Sequence, residues 1–221
     1  MIIKNKRSIR IIIDIAMIFS LLFVYGFQLT GKILHGLSGI SVLTLFVLHL
    51  VMNRNWFRSL FKTKYTFRLA LKTFINILLT IAAGTVIITG VIEAWAPPFF
   101  FQFENIITVR QVHTFAAYWL WFLIGVHVGF HWEMVVQRIC KNRLVTFIMS
   151  VFALVVAIFG IWSFIDRDIF AKLFLGFSFD YWPRERPVIL FFVETLSILG
   201  MYIFVTYYII KLINLLKELR K

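Results

Sequence analysis

The chain has a single cysteine, Cys140, and only four prolines in 221 residues. One thiol excludes an internal disulfide, and with no C-x-x-C-H run, covalent c-type haem attachment is excluded too. No Gly-rich phosphate-cradling motif occurs, which argues against a nucleotide-binding enzyme. Charged residues are few, 15% of the chain, and only 10 of them are acidic. What fills the space is apolar: 61% hydrophobic residues, 26 of them Phe, with a mean hydropathy of +0.90. A soluble domain is about 45–50% apolar, and a core of this size could not hide the excess. Lipid is therefore the expected solvent and the helix the default spanning element, because each helix satisfies its own backbone hydrogen bonds.

About 20 apolar residues cross a bilayer, and six segments qualify: Ile11–Leu29, Ile33–Met52, Phe74–Ile92, Thr114–Trp132, Leu144–Ser163 and Val188–Leu212. The first lacks a small-residue cleavage site and runs straight into the second, so it reads as a membrane helix and not a removed signal. The net charge of +13 would suggest nucleic acid in a soluble protein. Here the basic residues lie between apolar runs, and no nucleic-acid partner is expected. Seventeen Lys and Arg fall on the side of the two termini and six on the other. The positive-inside rule then puts both termini in the cytoplasm. Two outer connections are long. Glu93–Val112 carries Trp95, Pro97 and Pro98, and Phe164–Pro187 carries Asp180 and Trp182. The stretch Ile165–Phe179 reads as a short interfacial helix. Thr30-Gly31-Lys32 reads as a tight turn, making the first two helices neighbours. Trp95, Trp162 and Trp182 read as interface anchors.

All five histidines fall in or at the edge of these spans: His35, His49, His113, His127 and His131. Ionisable side chains at such depth are costly and usually face a partner in the interior. His35 to Trp56 aligns without gaps on His113 to Met134, bringing His35 onto His113, His49 onto His127 and Asn53 onto His131. Each pair is 14 residues apart, which returns to the same helix face within about 40° and separates the two imidazoles by about 21 Å along the axis. The second and fourth spans run parallel, so His35 and His113 share an outer depth and His49 and His127 an inner one. Facing imidazoles at one depth can clamp a haem iron from both sides. The pattern therefore points to two haem b groups with His35, His113, His49 and His127 as metal ligands.

Small residues beside these positions, Gly36, Gly39, Gly125 and Gly129, would let a flat macrocycle approach the backbone or serve helix packing in lipid. His131, one turn past His127, fits a haem propionate, a quinone site or lipid headgroups. Arg110, near His113, fits a propionate or a solvated or phosphate-binding role, and Glu93 could pair with it. Arg10 and Lys72 precede Asp14 and Asn76 by four residues, a spacing that permits pairing on one helix face. Glu194, about two turns into the last span, could handle quinol protons or bond to a neighbouring helix.

The chain resembles the flavinylation-associated cytochrome family of bacterial membrane proteins. The resemblance rests on Asp14, His35-Gly36-x-x-Gly39, His49 with Asn53 and Trp56, then Asn76, Thr89-Gly90, His113 and His127-Val128-Gly129-Phe130-His131-Trp132. It covers about residues 7–135 and implies a di-haem b-type cytochrome that works with a flavin- or haem-carrying extracytoplasmic redox protein and exchanges with the quinone pool. The expected architecture is all-α and integral to the membrane, with six transmembrane helices. A haem-binding four-helix bundle would occupy residues 1–135 and two further helices residues 136–221.

Transmembrane electron transfer is the expected activity, with quinol oxidation left open. A proton or transition-metal transporter is the first alternative, since histidine suits both. Against it, the helix centres between paired histidines carry no carboxylate or thiol. A membrane anchor for a redox complex is the second.

Overall fold

A computed structural model describes residues 2–95, 103–139, 142–176 and 181–219. Pro97, Pro98, Cys140 and Asp180 lie outside them, as does the Trp95 side chain. Eight helices occur among the described residues, with no strand: α1 (Ile2–Tyr25), α2 (Phe27–Met52), α3 (Arg54–Ser59), α4 (Phe67–Trp95), α5 (Phe103–Ile139), α6 (Arg143–Asp166), α7 (Ile169–Leu173) and α8 (Val188–Glu218). Six of them, all but α3 and α7, are long and apolar enough to cross a bilayer. The chain is thus an all-helical, multi-pass membrane protein. Its outward surface agrees: α2 buries no residue at all, and α6 exposes Phe147, Phe152, Val155 and Ile158. In water those side chains would be a large penalty, whereas lipid tails are as apolar as they are.

The chain divides into two compact units, one of Met1–Phe67 with Asp180–Phe192 and one of Arg68–Phe179 with Val193–Lys221. This division differs from a boundary at residue 135. In the first unit α1 and α2 form an antiparallel hairpin. The Arg10 guanidinium donates to the Met52 carbonyl at 2.8 Å, tying the start of α1 to the end of α2. The link between them turns at Gly26 and breaks again at Gly31 (φ 73, ψ 177). That conformation is open essentially to glycine alone. Gly31→Ala is therefore expected to cost about 1–3 kcal/mol, read as a lower thermal unfolding midpoint in detergent, although a Cβ there would meet no atom within 4 Å. Trp182 is buried at 8% exposure. Its indole donates to the Arg186 carbonyl at 3.2 Å and its ring meets Phe191 edge-on. Among the expected outer anchors, then, Trp182 is a packing residue, while Trp162 remains 47% exposed.

The second unit is held by glycines that bring helices close together. A Cβ on Gly125 would fall 2.5 Å from Tyr202 Cβ, and one on Gly129 2.6 Å from Thr206 Cβ, so α5 lies tight against α8. A Cβ on Gly160 would collide with the Ser197 carbonyl, so α6 packs backbone to backbone on α8. Close approach of this kind is the main source of helix association where lipid offers no hydrophobic gain. Polar groups add to it. Trp121 donates to the Thr195 carbonyl at 3.3 Å and Arg167 to the Thr195 hydroxyl at 2.8 Å.

Of the expected interfacial helix, residues 177–179 lie outside the described residues; among the described ones only the five residues of α7 form it, because Ile165 and Asp166 continue α6 and Asp168 then turns left-handed (φ 48). It buries Ile169, Lys172 and Leu173. The Leu173 carbonyl accepts from Trp119 at 2.9 Å, and Lys172 Nζ sits 5.2 Å from the centre of the Tyr118 ring. α7 is thus docked on α5. These interlocks hold α5, α6 and α7 together with α8 from Val193 onward in one unit.

Candidate functional site

The two histidine-bearing helices share one local arrangement. In each hairpin, the preceding helix supplies an acceptor for the Nδ1–H of each imidazole on the next. On α2, His35 Nδ1 lies 2.9 Å from the Val24 carbonyl, one of the last four carbonyls of α1, which lack a partner within their own helix. His49 Nδ1 lies 2.7 Å from Asp14 Oδ1. On α5, His113 Nδ1 lies 3.0 Å from Thr89 Oγ1 and His127 Nδ1 lies 2.8 Å from Asn76 Oδ1. The carbonyl, the carboxylate and the amide oxygen can only accept. The Thr89 hydroxyl gives its own hydrogen to the Thr85 carbonyl at 2.6 Å, so it also accepts from histidine. All four rings therefore donate through Nδ1, each to an acceptor on the preceding helix. A metal-ligating histidine is oriented in this way, with its other nitrogen donating to an oxygen of the protein.

The repeat in the sequence thus extends to the supporting residues. Asp14 stands to His49 as Asn76 stands to His127, and Val24 stands to His35 as Thr89 stands to His113. Asp14, Asn76 and Thr89 carry recognisable polar side chains. Val24 acts through its backbone and leaves no mark in a sequence. All four imidazoles are half-buried.

Around the rings the structure separates the two uses expected of the small residues. A Cβ on Gly36 or Gly39 would meet no heavy atom of the described residues within 4 Å. Gly125 and Gly129 instead face Tyr202 and Thr206, where α5 approaches α8. Gly90 serves the site from α4, where a Cβ would lie 3.2 Å from His113 Cε1. Phe27 stands edge-on to the His35 ring at 5.2 Å.

Arg110 Nε donates to Glu93 Oε1 at 2.8 Å, the expected pair, so part of its guanidinium is engaged within the second unit. The His131 ring lies 5.1 Å from the His127 ring, with Lys72 and Arg68 close enough to act on it electrostatically. Arg68 itself pairs with Glu133 at 3.6 Å. Lys72 Nζ lies 5.9 Å from the centre of the Phe130 ring. Asn53 aligns with His131 but caps α2, its side chain donating to the His49 carbonyl at 2.9 Å. Glu194 is wholly enclosed by protein.

Among the described residues no three or more His, Cys, Asp or Glu side chains gather to hold a bare metal ion. A porphyrin iron needs only two protein ligands, because the macrocycle supplies the other four. Comparison with known proteins returned no matching family model, no matching curated protein and no matching solved structure.

Proposed function

We propose that this chain is a membrane cytochrome that transfers electrons through two b-type haems, one held by His35 and His113 and the other by His49 and His127. The observation that carries the reading is the common use of Nδ1 by the four imidazoles, each bonded to protein at 2.7–3.0 Å. Four histidines used for helix packing alone would have no reason to share one nitrogen assignment and one pattern of support. When bound, haem supplies a one-electron iron couple whose potential follows its axial ligands and their hydrogen bonds.

The protein's own residues hold and tune. Val24, Asp14, Thr89 and Asn76 fix ring orientation and basicity. Gly36 and Gly39 leave α2 bare beside His35, where a flat ring could approach the backbone. The apolar surface of α2 would limit water near the site. His131, with Lys72 and Arg68, suits a carboxylate such as a propionate.

The seventeen-to-six split of basic residues supports cytoplasmic termini in a bacterial cytoplasmic membrane. His49 and His127 would then lie toward the inner leaflet and His35 and His113 toward the outer. The resemblance to flavinylation-associated cytochromes supports an extracytoplasmic flavin- or haem-carrying protein on one side. A quinol or a cytoplasmic donor would serve the other. Purified protein is expected to show a Soret band and reducible b-type bands, with about two haems per chain by haemochrome assay. A colourless protein with its fold intact overturns the proposal.

A further inference from the structure

We infer that Asp14 makes the His49 end of the chain the low-potential end, so that electrons run from the haem held by His49 toward the haem held by His35. The inference rests on the haem reading above. Its own observation is the difference among the four Nδ1 acceptors. Three are neutral: a backbone carbonyl at Val24, a hydroxyl at Thr89 and a carboxamide at Asn76. One is a carboxylate, Asp14, and its contact of 2.7 Å is the shortest of the four.

A hydrogen bond to a carboxylate is roughly twice as strong as one between neutral groups. It draws the Nδ1 proton away from the ring and makes the imidazole a stronger electron donor through Nε2. A stronger donor favours ferric over ferrous iron and lowers the potential. Asp14 does not touch the iron; it is a positioning residue that acts through His49. The half-exposed carboxylate lies on α1, and the neighbouring cation Arg10 directs its guanidinium to the Met52 carbonyl.

The direction follows. With the termini in the cytoplasm, Asp14 belongs to the inner leaflet and electrons move outward. The supplying reaction must then be the oxidation of an inner-side reductant of low potential that can release electrons one at a time. The consuming reaction is reduction of an outer acceptor of higher potential that takes them one at a time.

The internal repeat provides a nearly isosteric test, because Asn76 occupies at His127 the place of Asp14 at His49. Asp14→Asn makes the two supports alike, and Asn76→Asp places a carboxylate on each. Redox titration of the purified, haem-loaded protein, followed by its visible spectrum, is expected to resolve two transitions. Asp14→Asn should raise the lower one by at least a tenfold change in its reduction equilibrium, about 59 mV for one electron. Haem content and the upper transition should hold, and Asp14→Glu should keep the lower potential. Asn76→Asp should lower that same transition.

If Asp14→Asn retains its haem and leaves both midpoints in place, or moves the upper one, the inference is overturned. If Asp14→Asn fails to load haem, Asn76→Asp decides: a lowered transition supports the inference and an unmoved one overturns it. Absence of haem from the unmodified protein would instead refute the underlying reading, so the two failures are distinguishable.

Discussion

His127→Ala is expected to remove about half of the haem bound per chain, on the proposed ligation, and to abolish electron transfer between the two faces of the membrane. The alanine removes the Nε2 lone pair and also strips Asn76 Oδ1 of the donor it holds at 2.8 Å. A fully buried acceptor left without its donor costs about 1–3 kcal/mol, and Asn76 is only half-buried, so the cost falls toward the low end. The fold should survive that loss, because α5 is fixed elsewhere by Gly125 and Gly129 against α8. The informative comparison is His131→Ala. His131 is one turn away and its ring lies 5.1 Å from His127, yet it is not proposed as a ligand. That variant should keep both haems, with at most a shifted spectrum. Haemochrome counts on the two purified variants check the pair. Equal haem content in both would remove His127 from the ligand set.

Gly160→Leu is expected to produce the largest loss of stability of any single change considered. The reason is geometric. A Cβ there runs into the Ser197 backbone carbonyl and lies 2.8 Å from Met201 Cβ. A flexible side chain could swing aside, but a helix backbone cannot. α6 and α8 would have to separate along the seam that also holds Val156 against Gly200. Overpacking typically costs about 1–3 kcal/mol, and a backbone clash belongs at or above the top of that range. Folded yield after detergent extraction and the thermal unfolding midpoint should both fall sharply. An unfolding midpoint close to that of the unmodified chain would mean that α6 and α8 are not held at this seam.

The supporting residues of the site separate what is legible in a sequence from what is not. The six spans were legible because lipid imposes a length and an apolar composition that nothing else in the chain imitates, and each of the six appears as a helix. The ends shifted for local reasons. The turn expected at Thr30-Gly31-Lys32 is spread over Gly26 and Gly31, and α4 begins at Phe67, well before the apolar run at Phe74. The pairing of Arg110 with Glu93 was also legible, because opposite charges flank one outer connection. The glycines were not. Gly36 and Gly129 look alike in a one-letter string, yet one faces open space and the other a threonine on α8. Trp182 was not legible either: it has an anchor's position but is buried against Phe191.

The amino-acid order alone determined the solvent of this protein, its helical class, the number of its crossings and the 14-residue rhythm of its histidines. These are local or compositional properties, set by backbone hydrogen bonding in lipid and by the pitch of the helix. Only the tertiary structure decided which nitrogen of each imidazole donates to the protein. It also decided that, of the four Nδ1 acceptors, the one at His49 is a carboxylate, and that α5 is locked to α8. Those depend on which helix comes to lie beside which. Backbone acceptors such as Val24 and the absent side chains of glycines influence that outcome without any residue type to announce them.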